Sequence, residues 1–473
     1  MFCFKWIPVK SFPSLRVGWA TCGAMTATLG LLASAGCVNL PEPQAERMDE
    51  AVALPSTFQA EPELSLQIVR TLVEVFESDT LETLIEQALA HNPDLLASNA
   101  QLEEARFNLE KTRGGFWPSL GGNGKASRSG GNLLPTTERY ELGLDAAWEV
   151  DVWGRIRNDV RASAADFARS EADYEASRQS LAGQVTQAWF DYLKSGQLYD
   201  LAQRRMESFE STRRMVERRY DSGTSELGDL ELARTDAANA RADLAASQDD
   251  QQRALRDLQI LLGDYPDQSL VAQVAWPSLT RTVPVDLPSE LLMARPDLVA
   301  AYEAILAADA RVKVAQADLL PSFTLTGSMG RSSETLSDLG RSAFDVWSLA
   351  GELAAPLFEG GALRAELGAA GKRAEQAYQN YRAVALNAFL EVENALSSEA
   401  LLVSEEIARL EALEAARRAE LRARRDYEGG LSDILILLES QRRVFETEER
   451  TINLKAARYN NRVSLALALG KCV

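Results

Sequence analysis

Thiols and imidazoles, the groups that most often carry nucleophilic, redox or metal chemistry, are scarce here: four cysteines and one histidine in 473 residues. Cys3, Cys22 and Cys37 crowd the N-terminus and Cys472 is next to last, so the body holds neither a disulfide framework nor a thiolate metal site. His91 stands before Asn92-Pro93 at an expected helix end, where a cation beside the C-terminal dipole is a better reading than a metal ligand. No glycine loop has the spacing that cradles phosphates, and nothing points to a serine- or carboxylate-based site. This supply of reactive groups implies no enzyme and no cofactor. The formal charge is −19, and −22 without Lys5, Lys10 and Arg16 of the first 36 residues (−19 − 3). So acidic a chain repels phosphates, which speaks against nucleic acid as a partner.

One thiol does sit in a chemical context. Residues 1–36 read as a signal peptide, with Lys5, Lys10 and Arg16 ahead of a small and apolar run from Val17 to Ala35. The run ends in Leu32-Ala33-Ser34-Ala35-Gly36-Cys37, which resembles a bacterial lipoprotein cleavage site at which the cysteine is acylated; Ser34 stands where leucine is usual. Ordinary cleavage near Ala35, leaving Cys37 a free thiol, is the alternative. Each buried CH₂ adds about 0.8 kcal/mol, so several acyl chains would anchor the protein stably. Val38, rather than an aspartate, favours the outer membrane. Residues 37–79 are then a lipidated tether, extended through Pro41, Pro43 and Pro55. No later run reaches the ~18 apolar residues of a spanning helix, so any membrane span must be built of strands.

Four segments have the pattern for that. Tyr140, Leu142, Leu144, Ala146, Trp148, Val150 and Val152 alternate with Glu141, Gly143, Asp145, Ala147, Glu149 and Asp151. Trp347, Leu349, Gly351, Leu353, Ala355 and Leu357 alternate with Ser348, Ala350, Glu352 and Ala354. Phe323, Leu325 and Met329 alternate with Ser322, Thr324, Thr326 and Ser328, and a glycine-rich fourth segment runs from Phe116 to Ser127. They form two hairpins with tips near Ser129–Thr137 and Ser332–Asp345. A soluble sheet with one wet face would share this pattern. Trp148, Trp153 and Trp347 towards the strand ends favour a membrane interface. Four strands do not close a barrel, for which about 8 are needed, so several chains must share one.

The elements that position these strands are long helices. A step of seven through Val160, Phe167, Tyr174, Leu181 and Ala188 predicts one helix from Gly154 to Tyr220, about 100 Å long at 1.5 Å per residue. Asp221-Ser222-Gly223 turns the chain, and a return helix runs from Ser225 or Glu226 to Leu262. A second such hairpin runs from Gly361 to Glu428, turns at Gly429-Gly430, and returns from Ser432 to Leu469. Shorter helices fit Leu81–Ala90, Asp94–Thr112 and Asp297–Ala317. Small residues such as Ala164, Ala188, Ala238, Ala369 and Ala370 suit a hollow wall of helices, though a two-stranded hairpin with one wet face fits the same pattern.

The whole plan is written twice. Asn92-Pro93-Asp94-Leu95 returns as Arg295-Pro296-Asp297-Leu298, and Pro118-Ser119 as Pro321-Ser322, both at an offset of 203 (295 − 92). Tyr220-Asp221-Ser222-Gly223 returns as Tyr427-Glu428-Gly429-Gly430, and Leu262-Gly263 as Leu469-Gly470, at 207 (427 − 220). The boundaries are residues 80–266 for the first repeat, 267–287 for a linker and 288–473 for the second.

These motifs, with Asp151-Val152-Trp153-Gly154-Arg155, Phe358-Glu359-Gly360-Gly361 and Glu391-Val392-Glu393-Asn394-Ala395-Leu396, resemble the TolC-type outer-membrane efflux factors over about residues 80–470. Cys37 makes the chain most similar to their lipid-anchored, drug-efflux branch. The resemblance implies a mainly helical fold with a small membrane β part. It implies a homotrimer whose 3 × 4 = 12 strands close a β-barrel, continued across the periplasm by an α-barrel. It implies a passive duct, served by a periplasmic adaptor and an inner-membrane transporter, with no cofactor. Carried over by position, Gly223-Thr224-Ser225-Glu226 and Gly430-Leu431-Ser432-Asp433 are the tips that meet the adaptor. Leu435 and Glu439, with Asp229, match the gate. Ser432 replaces an arginine that other members use as a latch. A protein-secretion duct of the same fold, and a non-conducting coiled-coil adaptor lipoprotein, are the competing readings.

Overall fold

Wherever the sequence repeats itself, the chain builds the same element twice. The computed structural model describes residues 42–51, 72–132, 134–267, 276–277, 279, 295–341 and 345–470. The signal segment and Cys37 lie outside them. Each repeat contributes one or more short helices, a strand hairpin and a long helical hairpin. The short helices are α1 (Leu72–Phe76), α2 (Asp79–His91) and α3 (Pro93–Arg113) in the first repeat and α6 (Pro296–Ala317) in the second. The hairpins are α4 (Arg155–Asp221) with α5 (Leu227–Leu261), and α7 (Ala362–Glu428) with α8 (Ile434–Ala468). Helices α4 and α7 have 67 residues each, about 100 Å at 1.5 Å per residue. No described helix is long and apolar enough to cross a membrane.

Two shorter helices stand end to end along each long one. Ser163 on α4 donates to Thr112 on α3 at 3.0 Å, and lower down Arg241 on α5 pairs with Glu210 at 3.3 Å. The Asn-Pro-Asp and Arg-Pro-Asp motifs are the joints. Asn92 caps α3 by accepting from Asp94 N and Leu95 N, and its amide donates to the carbonyl of Leu261 at the end of α5. Arg295 does the same work with charge: its guanidinium donates to the carbonyl of Ala468 (3.0 Å) and holds Asp297 and Glu391. A cation at a helix C-terminus meets the dipole favourably. At the Asn92 joint, close approach of α2 also requires Gly263, whose φ is +80° and where a Cβ would lie 2.5 Å from the His91 carbonyl oxygen.

The sheet is antiparallel, in the order β1 (Ser119–Gly131), β2 (Leu134–Glu149), β3 (Ser322–Ser333), β4 (Asp345–Ala354). The β2–β3 pairing joins the two repeats. Its register puts Leu144 opposite Met329 and Trp148 opposite Leu325, while β4 puts Trp347 opposite Met329 and Leu353 opposite Phe323. One face is therefore apolar and the other polar. The apolar face is bare: Leu142 is 62% exposed, Met329 65% and Leu349 77%. Trp117, Trp148 and Trp153 gather at the helical end and Trp347 near the far end. The Trp148 and Trp153 indoles donate to the carbonyls of Phe116 and Pro321.

The motif from Asp151 to Arg155 is the corner between sheet and helix. The Asp151 carboxylate accepts from Ile156 N and Arg157 N, capping α4, and Arg155 grips Glu149 through two bonds of 2.7 and 2.6 Å. Gly154, at φ +80°, makes the bend. This is why β2 stops at Glu149 and does not reach Val152.

Other expectations also need correction. Phe116 belongs to a 3₁₀ turn, Gly114–Phe116, because the chain bends before the glycine-rich strand begins. The seven-residue series on α4 is not one seam: Leu181 is buried, but Val160, Phe167, Tyr174 and Ala188 are half-buried, because helices flank α4 on two sides. The described part of the 37–79 segment is not an extended tether either. Gln44–Glu50 is a 3₁₀ helix whose Gln44 N and Ala45 N donate to Asp309 on α6, and α1 packs Phe76 on Phe190 at 4.8 Å. Trp276 of the linker stacks on that same Phe190.

Candidate functional site

The two hairpin turns are built alike. In the first, Thr224 N donates to Arg219 O and Gly223 N to Tyr220 O; in the second, Leu431 N donates to Asp426 O and Gly430 N to Tyr427 O. This double closure needs a left-handed residue, and Gly223 and Gly430 have φ of +76° and +72°. Both return helices are capped by acids. Glu226 and Asp229 form a reciprocal capping box on α5, and Asp433 accepts from Leu435 N on α8. Asp229 also accepts from the Ser225 hydroxyl at 2.8 Å. Its local partners account for its position, and it is not among the lining of the groove that holds the other two residues matched to a gate.

Those two share one surface groove. Leu435, Ile436, Glu439, Ser440 and Arg443 line it on α8, with Ala416 and Ala419 across from them on α7. Leu435 is half exposed, and Glu439 pairs with Arg442 (3.4 Å) and Arg443 (3.3 Å), each about one turn along the same helix. Leu431, at the very tip, is 82% exposed. Ser432 donates only to the neighbouring Asp433 carbonyl.

At the tips, one contact between hairpins comes from a residue that the turn motifs did not single out. Arg219, on α4, donates to the Tyr427 carbonyl at 2.6 Å, and its guanidinium lies 4.7 Å above the Tyr427 ring. Its place beside the first Tyr-x-x-Gly turn was the available signal. Further up, Gln441 is fully buried and bonds Thr212 and Ser208 on α4 at 3.0 Å each. Glu448 joins Arg204 on α4 (2.7 Å) to Arg417 on α7 (3.0 Å). Burial pushes its carboxyl up, but the two guanidiniums outweigh that and hold it below the usual glutamate range.

The arrangement is a sheet with one bare apolar face, set on long helical hairpins whose far ends are two linked turns. Among the described residues no cluster could hold a metal ion. A family model described as outer membrane efflux protein matches residues 84–264 and 287–471. The chain belongs to that family. It is an outer-membrane channel component of an efflux system. It is 31% identical over 399 residues to the cation efflux system protein CusC of Escherichia coli O6:H1, covering 84% of this chain and 86% of that one. It is 29% identical over 409 residues to the solvent efflux pump outer membrane protein SrpC of Pseudomonas putida, covering 84% and 86%. The solved outer-membrane channel OprN superimposes with a TM-score of 0.81 at 28% identity, covering 89% of this channel and 98% of that one. A solved CusC structure superimposes at 0.80, also at 28% identity, covering 92% and 100%.

Proposed function

We propose that three copies of this channel close one 12-stranded barrel (3 × 4) and that the duct receives small molecules from an inner-membrane transporter through a periplasmic adaptor. The observation that carries the trimer is the open sheet: β1 and β4 each pair on one side only, and the apolar face is bare. Lipid tolerates neither an open edge nor fewer than about 8 strands. The helices agree. Leu390, Leu401 and Leu421 on α7, and Leu96 and Phe107 on α3, are exposed on faces with no neighbour in one copy. The four-stranded apolar face also disfavours the non-conducting adaptor reading. Relatives named for cations, for solvents and for pyoverdine match at 28–31% identity, which suits cargo selection upstream of the duct.

The tips are the adaptor surface in this reading. Glu226 and Asp433 cap their helices, so Leu431 is the cleaner probe. Leu431→Arg is expected to lower resistance to transported compounds at least several-fold and to abolish adaptor crosslinking, with the oligomer intact. Unchanged crosslinking would remove the tip assignment. Leu435 and Glu439 serve as the constriction, a dry ring with carboxylates behind it, and Asp229 supports the neighbouring turn. Cys37 carries the lipid anchor, which joins the chain to outer-membrane lipid. Labelled palmitate is expected to enter the wild type and not Cys37→Ser; a wild type without label would discard the anchor.

A further inference from the structure

We infer the strand register at the boundary between copies, an inference that rests on the shared-barrel reading above. The internal repeat supplies it. Pro118-Ser119 and Pro321-Ser322 equate β1 with β3 at an offset of 203 (322 − 119). Ser119 pairs with Ala147 and Ser322 with Ala354, which equates β2 with β4 at 207 (354 − 147). The β2–β3 pairing then has one counterpart, β4 against β1 of the next copy. Asp145 opposite Ser328 becomes Glu352 (145 + 207) opposite the partner subunit's Lys125 (328 − 203). Gly143 opposite Gly330 becomes Ala350 opposite the partner subunit's Ser127.

The mapping uses no charge, yet it sets an acid against a base. Glu352 and Lys125 both lie on the polar face; Glu352 faces Thr324 within its own copy, and Lys125 faces Glu141, which Arg139 already holds, so neither makes an ion pair among the described residues. Sliding the seam by two residues, the smallest slip that keeps the faces, would leave Glu352 opposite an asparagine or a serine. Bulk is complementary too: Leu353 meets the partner subunit's Gly124, and Trp347 the partner subunit's Gly130. The glycines that weaken β1 as an isolated strand make room for β4. Val150 N donates to Phe323 O, which fixes the ladder's phase. Glu352 and Ala350 then fall at the narrow pairs, with Cα atoms about 4.5 Å apart and side chains closest.

The helices give a separate check. Helices α4 and α5 map onto α7 and α8 at the same offset (362 − 155 and 434 − 227, both 207). The Arg204–Glu448 pair between α4 and α8 becomes Glu411 on α7 against the partner subunit's Arg241 on α5. The signs are exchanged and the pair is again complementary.

Disulfide trapping tests the register in the full-length, membrane-extracted protein with Cys472→Ser. Ser127→Cys with Ala350→Cys places the two Cα atoms about 4.5 Å apart, roughly the lower end of the 4.4–6.8 Å Cα range that disulfides need. Oxidation is expected to give covalent dimers and trimers in this variant, and none with Ser129→Cys/Ala350→Cys. A native mass of three chains combined with crosslinking only in the shifted pair, or in neither pair, would overturn the register and leave the trimer standing. A native mass of one chain would overturn both. In the same protein Lys125→Ala and Glu352→Ala should each lower the temperature of oligomer dissociation, and together by less than the sum. Fully additive shifts would separate the two residues and sink the pairing.

Discussion

Arginine in place of Leu144 is expected to eliminate the channel from the outer membrane. Leu144 lies in the middle of β2 on the apolar face, beside Gly122 and Met329 of the flanking strands. A lipid-facing arginine at mid-bilayer costs about 2–4 kcal/mol. In the proposed trimer, three copies sharing one barrel multiply that to about 6–12 kcal/mol, comparable with the whole stability of a typical domain. The readout is the heat-sensitive oligomer band in outer-membrane fractions, expected to fall at least tenfold, with chain held back or degraded in the periplasm. Thr326→Arg is the control. Thr326 lies one strand away, opposite Ala147 and Ala350 on the polar face, and its arginine would point into water. Normal assembly of Thr326→Arg beside failure of Leu144→Arg fixes which face meets lipid. Failure of both would mean that the sheet tolerates no bulk, and normal assembly of both would turn the apolar face indoors.

The faces of the sheet were legible because a strand's pattern is local: each side chain's direction follows from its parity. The long helices were legible for the same reason, and their ends fall within a residue or two of the expected glycines. The expected start at Gly154 is the φ +80° residue just before Arg155. What local pattern does not encode is the partner. Asn92 could be read as a helix cap, but its second bond runs to Leu261, 169 residues away. Arg295 replaces it in the second repeat with a different chemistry for the same joint, so comparing the repeats shows a conserved place without revealing its purpose. The seven-residue series misled because a helix with neighbours on two sides buries a broad arc instead of a stripe. Asp229 shows a related limit. An acid at a helix start serves the backbone first, and its type alone does not separate capping from gating.

The tie at the tips leads to the second large effect. Arg219→Ala should raise single-channel conductance of the purified oligomer in planar bilayers. The wild-type guanidinium holds a carbonyl of the other hairpin at 2.6 Å and covers its tyrosine ring. A hydrogen bond to a charged group contributes roughly 1.5–3 kcal/mol, and an exposed cation–π contact about 0.5–1 kcal/mol more. Loss of about 2 kcal/mol shifts a two-state equilibrium about 30-fold, enough to turn a mostly closed channel into one that is open for much of the time. Tyr427→Phe keeps both the carbonyl and the ring, so its conductance should match the wild type. Leu435→Ala/Glu439→Ala addresses the constriction proposed at the α7–α8 groove and not the tie. If it raises conductance and Arg219→Ala does not, the hairpins are held by the buried Gln441 and Glu448 contacts higher up, and the tips merely follow. If Arg219→Ala alone opens the channel, the resistance lies in the linkage between the hairpins. An adaptor that pulled Leu431 outward would then work against a bond it is strong enough to break, since one charged hydrogen bond is small beside the binding energy of even a micromolar contact, about 8 kcal/mol.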